Sequence, residues 1–255
     1  MRAPRIHDAR SFISGSGGAQ PVDAIVASMK LVPLAGLLIV GTLVAPLAAR
    51  QQTSQQTPRP AITDVEAQRE RWNRVFSSTP PNIRTDANAF LVQVVKELKP
   101  GTAIDIGMGF GRNALYLAKQ GWTVTGVDVS DVGIEKARQQ AAAEHLALTA
   151  IRDDMFTFDY GHDRYDLAVF TYMGGENQGM AQKITNALKP GGLLVIEHFL
   201  RQGTTTLGYP AGILPTLYPQ LDVLHYAEVD GKPDYGQQTP GKVVQFLARK
   251  PAAKV

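Results

Sequence analysis

The chain is predicted to turn from a strand into a helix at residues 105–111, whose sequence is Asp-Ile-Gly-Met-Gly-Phe-Gly. The short run Ala103–Ile106 predicts a strand, and the following segment Arg112–Gln120 has apolar residues at helical spacing. Alternate glycines let a backbone approach a ligand with no Cβ in the way, and the first turn of a helix has unpaired N–H groups. We therefore expect a ligand-binding site at this corner of the chain.

The spacing of the glycines distinguishes this turn from the dinucleotide-binding turn. Residues 105–111 follow the pattern Asp-x-Gly-x-Gly-x-Gly, whereas the dinucleotide fingerprint is Gly-x-Gly-x-x-Gly. Asp128 ends the next predicted strand, Thr123–Asp128, at a position where a carboxylate can accept hydrogen bonds from both hydroxyls of an adenosine ribose. This pattern disfavours an NAD(P)-dependent Rossmann oxidoreductase, which is the competing class of enzyme on this kind of sheet.

Strand-like and helical segments alternate along the chain, which predicts parallel strands in a sheet that helices cover on both faces. The expected strands are Ala103–Ile106, Thr123–Asp128, Leu148–Arg152, Leu167–Thr171 and Leu193–His198. The expected helices between them are Arg112–Gln120, Asp131–His145 and Met180–Leu188, and Asp64–Phe76 and Ala87–Leu98 precede the first strand. The predicted fold class is therefore α/β, a Rossmann-like three-layer sandwich.

The end of the chain differs from this alternation. Leu221–Glu228 and Val243–Arg249 are strand-like, and the polar loop between them contains Gly, Pro and Asp but no helical segment. Two strands joined in this way pair antiparallel. The predicted sheet is therefore seven-stranded and mostly parallel, with a reversed last strand.

The charge of the chain is concentrated in its N-terminal part. Residues 1–59 hold six basic and two acidic side chains, a net charge of +4, which leaves 20 basic and 21 acidic side chains, a net charge of −1, for residues 60–255. A body without excess positive charge lacks the main driving force for binding phosphate backbones, so we expect no nucleic-acid partner. The absence of cysteine excludes disulfides, thiolate nucleophiles and Cys-ligated metals.

An uncharged apolar stretch at Leu31–Ala49 lies between Lys30 and Arg50. This layout predicts a signal peptide or a membrane anchor over residues 29–49, with Met29 as the initiator and residues 1–28 as an extension upstream of it. Residues 50–60 are then a polar linker, and residues 61–255 form the folded domain. We expect a membrane-associated or exported (periplasmic) protein if this segment is used, and a cytoplasmic one otherwise.

The motifs around residues 105 and 128 resemble those of the class I S-adenosylmethionine-dependent methyltransferases, and the resemblance extends from about residue 83 to residue 249. It implies S-adenosyl-L-methionine as the cofactor and the closing hairpin as the family's reversed seventh strand. It also implies the cofactor-binding residues. These are Asp105, Gly107, Gly109, Gly111 and Arg112 around the methionine end, Asp128 and Val129 at the ribose, Asp154 and Met155 at the adenine, and Thr171 at the methyl-donor site. Asp153 is an open alternative to Asp154.

Three local sequences look like the small-molecule branch that includes tellurite-resistance and thiopurine methyltransferases. They are Asn-Ala-Phe-Leu at 88–91, Gly-Arg-Asn-Ala-Leu-Tyr-Leu-Ala at 111–118 and Gly-Trp-Thr-Val-Thr-Gly-Val-Asp at 121–128. The resemblance implies a small-molecule methyl acceptor. Residues 171–176, Thr-Tyr-Met-Gly-Gly-Glu, lack the Asn/Asp-Pro-Pro-Tyr signature, which disfavours methylation of amino groups in DNA or protein glutamine.

Candidate catalytic groups follow from position alone. An oxygen or nitrogen acceptor usually has to lose a proton, and Tyr172, Glu176 and His198 stand near the ends of the fourth and fifth predicted strands. We expect Trp72 to pack its helix rather than cover the site. The histidines show no metal-ligand spacing, so we expect no metal. A non-catalytic nucleoside-binding domain is a further alternative, and we expect a monomer or a weak dimer.

The domain that follows residue 59 is expected not to bind duplex DNA at about 150 mM salt, because its net charge of −1 supplies no counterion release. A gel-shift titration up to micromolar protein measures this. A shifted band under these conditions would contradict the prediction and favour a nucleic-acid substrate.

Overall fold

The computed structural model of the chain describes residues 65–78, 84–175, 177–204, 207–231, 233–234 and 241–252. The expected extension at 1–28, signal or anchor at 29–49 and linker at 50–60 lie outside the described residues. Among the described helices, none is both long and apolar enough to cross a membrane.

The helices and strands alternate in the predicted order. The helices are α1 Val65–Ser77, α2 Ala89–Val95, α3 Arg112–Lys119, α4 Asp131–Ala143, α5 Gln178–Ala187 and α6 Ile213–Leu217. The strands are β1 Thr102–Ile106, β2 Thr123–Asp128, β3 Leu148–Arg152, β4 Tyr165–Thr171, β5 Leu188–Phe199, β6 Asp222–Gly231 and β7 Gly241–Arg249.

The described strands form one seven-stranded sheet in the order β3-β2-β1-β4-β5-β7-β6. β1 pairs in parallel with β2 and β4, and the same direction continues outward to β3 and β5. β7 runs antiparallel to both of its neighbours, β5 and β6. The predicted Rossmann-like α/β class, with a mostly parallel sheet and a reversed last strand, is confirmed. The strand order reverses between β1 and β4, and ligands of open α/β sheets bind at such switch points.

Alternating side chains of the strands build a core on each face of the sheet. Leu167 and Val169 of β4 belong to the cluster that α2, α3 and α4 cover, whereas Ala168 and Phe170 belong to the opposite cluster under α5 and α6. This alternation follows from the two-residue period of a strand. Both faces of β4 are therefore buried, as a central parallel strand requires.

The start of β5 differs most from the prediction. We expected a helix to run through Leu188 and a strand to begin at Leu193, but the helix ends at Ala187 and β5 begins at Leu188. Tyr165 pairs with Leu188 and Leu167 with Leu193, so residues 189–192 form a bulge. The sequence did not predict a strand here because the bulge contains Pro and Gly, which are typical of turns.

Other boundaries differ by a few residues. The second helix is shorter than the expected Ala87–Leu98, because Asn88 accepts a hydrogen bond from the Leu91 N–H and caps a helix that ends at Val95. The expected Leu221–Glu228 strand instead spans Asp222–Gly231. The sequence analysis did not predict the short helix α6.

The substitution Gly192→Ala is expected to lower the free energy of unfolding by about 1–3 kcal/mol, the usual cost of overpacking. A Cβ at this position would lie 2.9 Å from the carbonyl oxygens of both Tyr165 and Lys189. Urea denaturation measures the loss. Gly191→Ala is the matched control, because its Cβ would meet open space and only the positive φ of 82° would add strain. A Gly192→Ala variant as stable as the wild type would contradict the bulge geometry.

Candidate functional site

The glycine turn between β1 and α3 is built from left-handed backbone. Gly107, Gly109 and Gly111 have φ angles of 69°, 59° and 86°, values that residues with a Cβ rarely adopt. The N–H groups of Gly107 and Met108 donate to the Val127 carbonyl at 2.8 and 3.1 Å, which ties the turn to the end of β2. The alternate glycines are therefore required by the backbone itself.

Asp105 connects the end of β1 to the first turn of α3. Its side chain is 1% exposed, and its Oδ2 accepts the N–H of Ala114 in the first turn of α3 at 3.1 Å. Burial raises the pKa of Asp105 to about 7, while the positive charge of Arg112 and the Ala114 hydrogen bond act in the opposite direction. Asp105 thus fixes the helix N-terminus relative to β1.

Asp128 joins the turn to the second strand. Its Oδ2 accepts the Gly109 N–H and its Oδ1 accepts the Ser130 N–H, both at 2.8 Å. Burial raises the pKa of Asp128, and these backbone hydrogen bonds oppose the shift. Each carboxylate oxygen retains a second lone pair, which could accept a hydroxyl of a ligand.

Two cavities lie along this corner among the described residues. The larger has a volume of about 60 Å³ and the smaller about 10 Å³. The sequence-predicted residues on their walls are Gly107, Gly109, Arg112, Asp128, Val129, Met155 and Thr171. The described residues Asp105, Gly111 and Asp154 support the corner without lining either cavity.

The side chains of the neighbouring residues Asp153 and Asp154 have different surroundings in the structure. Asp153 lines the smaller cavity together with Val129 and Met155. The Oδ1 of Asp154 instead accepts the N–H of Phe156 at 3.0 Å, which closes a local turn. Asp153 is therefore the carboxylate on the cavity wall, and the role of Asp154 at an adenine stays a prediction.

Two side chains of α1 form an outer wall that the sequence analysis missed. We expected Trp72 to pack its helix, and it does stack on Phe76 at 5.6 Å between ring centroids, but it also lines both cavities. Phe76 lies over the turn, with its Cζ 2.8 Å from the place of a Cβ on Gly109. Met173, which follows β4, lies against Gly107 and lines both cavities as well.

Helix α1 is held in this place by polar contacts to the start of α4. The Oδ1 of Asn73 accepts the Ser130 hydroxyl at 2.6 Å and the Val132 N–H at 3.2 Å. Arg69 forms an ion pair with Asp131, the first residue of α4. The amphipathic pattern of α1 predicts a helix, but the residue that Asn73 contacts is 57 positions away, so no local pattern could indicate it.

The candidate catalytic residues lie at the ends of β4 and β5. Tyr172 lines the larger cavity, and its hydroxyl donates to Glu197 Oε1 at 2.8 Å. Burial raises the pKa of Tyr172, and the Glu197 charge adds to the shift. The His198 ring stacks on Tyr172 at 5.9 Å but does not line either cavity among the described residues. Burial lowers the pKa of His198 to about 4, so its imidazole is neutral at pH 7. Glu176 lies outside the described residues.

Comparison with known proteins identifies the domain. Residues 103–192 match a family model described as a methyltransferase domain. The ribosomal RNA small subunit methyltransferase C of Alcanivorax borkumensis is 33% identical over 104 residues, which cover 38% of this chain and 31% of the relative. The chain spans between 31% and 60% of the length of the first curated relatives that it matches.

Solved structures show the same fold. TehB from Haemophilus influenzae is 21% identical with a TM-score of 0.57, and the match covers 71% of this chain and 66% of TehB. The N-methyltransferase NodS from Bradyrhizobium japonicum, solved with S-adenosyl-L-homocysteine, is 19% identical with a TM-score of 0.57. That match covers 72% of this chain and 98% of NodS. The described chain has the fold of S-adenosylmethionine-dependent methyltransferases, and residues 103–192 match a methyltransferase domain.

The residues of this methyltransferase domain fit the cofactor in their chemistry. A Cβ on Gly107 or Gly109 would meet the side chain of Met173 or Phe76, and the positive φ at both positions disfavours any residue with a Cβ. Asp128, Val129 and Met155, which the resemblance assigns to the ribose and the adenine, line the smaller cavity together. The cavities of about 60 and 10 Å³ are nevertheless smaller than the 300–1,000 Å³ typical of ligand pockets. Trp72 and Met173 line both cavities and therefore border the space that a cofactor would enter.

The substitution Asp105→Asn is expected to make the free energy of unfolding less dependent on pH between pH 3.8 and about 7. These limits are the ordinary pKa of this carboxyl and its raised pKa in the folded protein. In this window the folded state keeps a proton that the unfolded chain has released. The contribution of Asp105 is thus full at acid pH and is lost as pH rises, at up to about 1.4 kcal/mol per pH unit. Urea denaturation across this range measures the slope.

Asp166→Asn is the control of opposite sign for that experiment. Burial would raise the pKa of Asp166, but hydrogen bonds from Lys189 and Thr102 offset this and hold it below its usual value. Asp166 therefore stabilises the fold above its ordinary pKa, and this contribution is lost as pH falls. Equal pH slopes for wild type and Asp105→Asn would contradict the role of Asp105.

S-adenosylhomocysteine is expected to change the fluorescence of Trp72, because this indole lines both cavities. The chain has two tryptophans, and Trp122 is buried in the core beneath α3. Titration of the wild type should change the emission, and the Trp72→Phe variant should lose that change. A Trp72→Phe variant that binds with the full wild-type emission change would contradict the position of α1.

Proposed function

We propose that this domain transfers a methyl group from S-adenosylmethionine to a small-molecule acceptor that binds beside Thr171 and Tyr172. The observation that carries the proposal is one shared cavity. Its walls contain Gly107, Gly109 and Asp128 on one side and Thr171 and Tyr172 on the other. The same space therefore touches the residues assigned to the cofactor and the end of β4, where the resemblance places the methyl-donor site.

When bound, S-adenosylmethionine supplies a methyl group on a positively charged sulfur, which leaves as a neutral thioether when the lone pair of an acceptor takes the methyl carbon. The chain contributes binding, alignment and exclusion of water. Asp128 would accept the ribose hydroxyls, and the Gly109 N–H keeps this carboxylate in place. Trp72, Phe76 and Met173 supply apolar walls that exclude water from the cavity.

The side chains around the acceptor space favour a nucleophile that does not depend on a strong base. The Tyr172 hydroxyl is engaged as a donor to Glu197, and its raised pKa disfavours the phenolate. The pKa of His198, lowered to about 4, makes its imidazole a weak base. A soft nucleophile that is already ionised in solution, such as a thiolate, needs little further help, whereas a neutral oxygen acceptor has to lose a proton in the site. A thiol or a chalcogen oxyanion is thus the favoured acceptor class.

The charge of the domain disfavours a nucleic-acid acceptor. Residues 60–255 have a net charge of −1, which supplies no counterion release on RNA, although one of the similar proteins is named for ribosomal RNA and another for ribosomal protein L11. Neither alternative function, a nicotinamide-dependent oxidoreductase or a nucleoside-binding domain without catalysis, has support among the similar proteins.

Transfer of tritiated methyl groups to thiophenol, benzylamine, tellurite and ribosomal RNA tests the proposal. We expect label on thiophenol or tellurite. Label only on RNA would overturn the small-molecule acceptor. Binding of S-adenosylhomocysteine without transfer to any acceptor would favour a nucleoside-binding domain, and binding of NADH in its place would favour an oxidoreductase.

Asp128→Ala tests the cofactor assignment separately. Loss of charge-assisted hydrogen bonds to the ribose should weaken S-adenosylhomocysteine binding by about 2–3 kcal/mol, measured by calorimetry. Asp222→Ala, which removes an exposed carboxylate on β6, is the matched control and should bind as the wild type does. Unchanged affinity in Asp128→Ala would overturn the assignment of this carboxylate.

A further inference from the structure

A buried polar network connects the glycine turn with the acceptor side of the cavity, and Asn88 is its centre. Asn88 is fully buried, and its backbone N–H donates to Asn113 Oδ1 at 2.9 Å. Its Nδ2 donates to Glu197 Oε1 and to Asp234 Oδ2, both at 2.6 Å. Asn88 also caps α2, so its side-chain oxygen accepts a backbone N–H while its side-chain nitrogen donates to the two carboxylates.

One side of the network reaches the wall beside the glycine turn. Asn113 donates from Nδ2 to Thr171 Oγ1 at 2.8 Å, and both residues line the larger cavity. Arg112, which follows the turn directly, forms an ion pair with Asp234 at 3.0 Å. The positions of Arg112, Asn113 and Thr171 are therefore set by contacts that converge on Asn88.

The other side of the network is Glu197, whose side chain is buried and 6% exposed. Its Oε1 accepts the Asn88 amide and the Tyr172 hydroxyl, and its Oε2 accepts the Gln245 amide at 2.8 Å. All three donors are neutral groups. A buried carboxylate is costly unless it is well hydrogen-bonded, and the three donors meet this requirement at Glu197.

The Glu197 carboxylate holds Tyr172 in an unusual backbone conformation. Its backbone has a φ of 56°, which a bulky residue adopts only when its surroundings force it to. Glu197 bonds Tyr172 twice, because its carbonyl accepts the Tyr172 N–H at 2.8 Å and its carboxylate accepts the phenol at 2.8 Å. The Tyr172 ring also stacks on His198 and meets the edge of Phe199 at 5.3 Å.

We propose that Glu197 is a positioning residue that holds the Tyr172 ring on the acceptor side of the cavity and thereby determines how the acceptor is oriented. This inference rests on the proposed methyl transfer. In this proposal the acceptor touches Tyr172, and Glu197 influences the acceptor through its bond to Tyr172, while the bonds from Asn88 and Gln245 hold the carboxylate in place. The hydrogen bond requires an accepting oxygen at residue 197 rather than a charge, so Gln should replace Glu there, whereas Ala should not.

A spectroscopic readout tests the link between the two residues without any acceptor. The full chain is labelled with 3-fluorotyrosine, and the ¹⁹F resonance of Tyr172 is assigned by its loss in Tyr172→Phe. We expect this resonance to move in Glu197→Ala and to stay near its wild-type position in Glu197→Gln. A Tyr172 resonance that is unchanged in folded Glu197→Ala would overturn the proposal.

A second phenol–carboxylate pair in the same chain provides the matched control. The Tyr226 hydroxyl on β6 donates to Glu228 Oε1, away from both cavities. Glu228→Ala should move the Tyr226 resonance and leave that of Tyr172 unchanged. If Glu197→Ala fails to fold by far-UV dichroism, Glu197→Leu, which fills the volume without an accepting oxygen, takes its place.

Kinetics with thiophenol as the probe acceptor test the functional part. Tyr172→Phe should raise the KM for thiophenol about tenfold, the scale of a lost hydrogen bond, and leave S-adenosylhomocysteine affinity within about twofold of wild type. The Tyr172→Phe, Glu197→Ala double variant should be no worse than Glu197→Ala alone, because the bond between the two residues is already lost in that single variant. Additive losses would overturn the proposal.

The outcomes separate this inference from the proposed function. A wild type that binds S-adenosylhomocysteine but methylates no acceptor would refute the transfer, while the fluorine resonances would still decide whether Glu197 holds Tyr172. A wild type that methylates thiophenol, with Glu197→Ala equally active, would refute the positioning role alone.

Discussion

The bond between the Gly109 N–H and the Asp128 carboxylate is the contact on which the rest of the site depends. It joins the turn after β1 to the end of β2, and the bonds from Gly107 and Met108 to Val127 reinforce the same junction. The turn passes close to the end of a strand, and its alternate residues have left-handed backbone conformations. Glycine adopts these conformations without steric strain, which explains the alternate glycines. The parallel register of β1 and β2 then places both halves of the site at one sheet edge.

A helix outside the central sheet completes the site. Trp72 and Phe76 of α1 cover the glycine turn, and Asn73 attaches the helix to the residues directly after Asp128. Ser130 therefore contacts both the covering helix, through Asn73, and the carboxylate of Asp128. An aromatic cover of this kind excludes water from the space beneath it.

The polar side of the site is organised differently from the apolar cover. Asn88, Asn113 and Glu197 come from distant parts of the chain, yet their hydrogen bonds leave little freedom to Thr171 and Tyr172. Satisfied polar networks of this type fix one arrangement of side chains because every broken bond would leave a buried group unpaired. The wall formed by Thr171 and Tyr172 is thus held by buried hydrogen bonds.

The sequence by itself determined the α/β class, the reversed last strand and the position of the glycine turn, because these follow from local periodicity and from glycine spacing. It also placed Asp128 on the site, since the carboxyl ends of parallel strands meet at one edge. Only the tertiary structure decided that Asp153 rather than Asp154 lines the cavity, that Trp72 covers it and that Glu197 holds Tyr172. These outcomes depend on side-chain direction and on contacts between residues far apart in the chain, neither of which a local pattern of residue types contains.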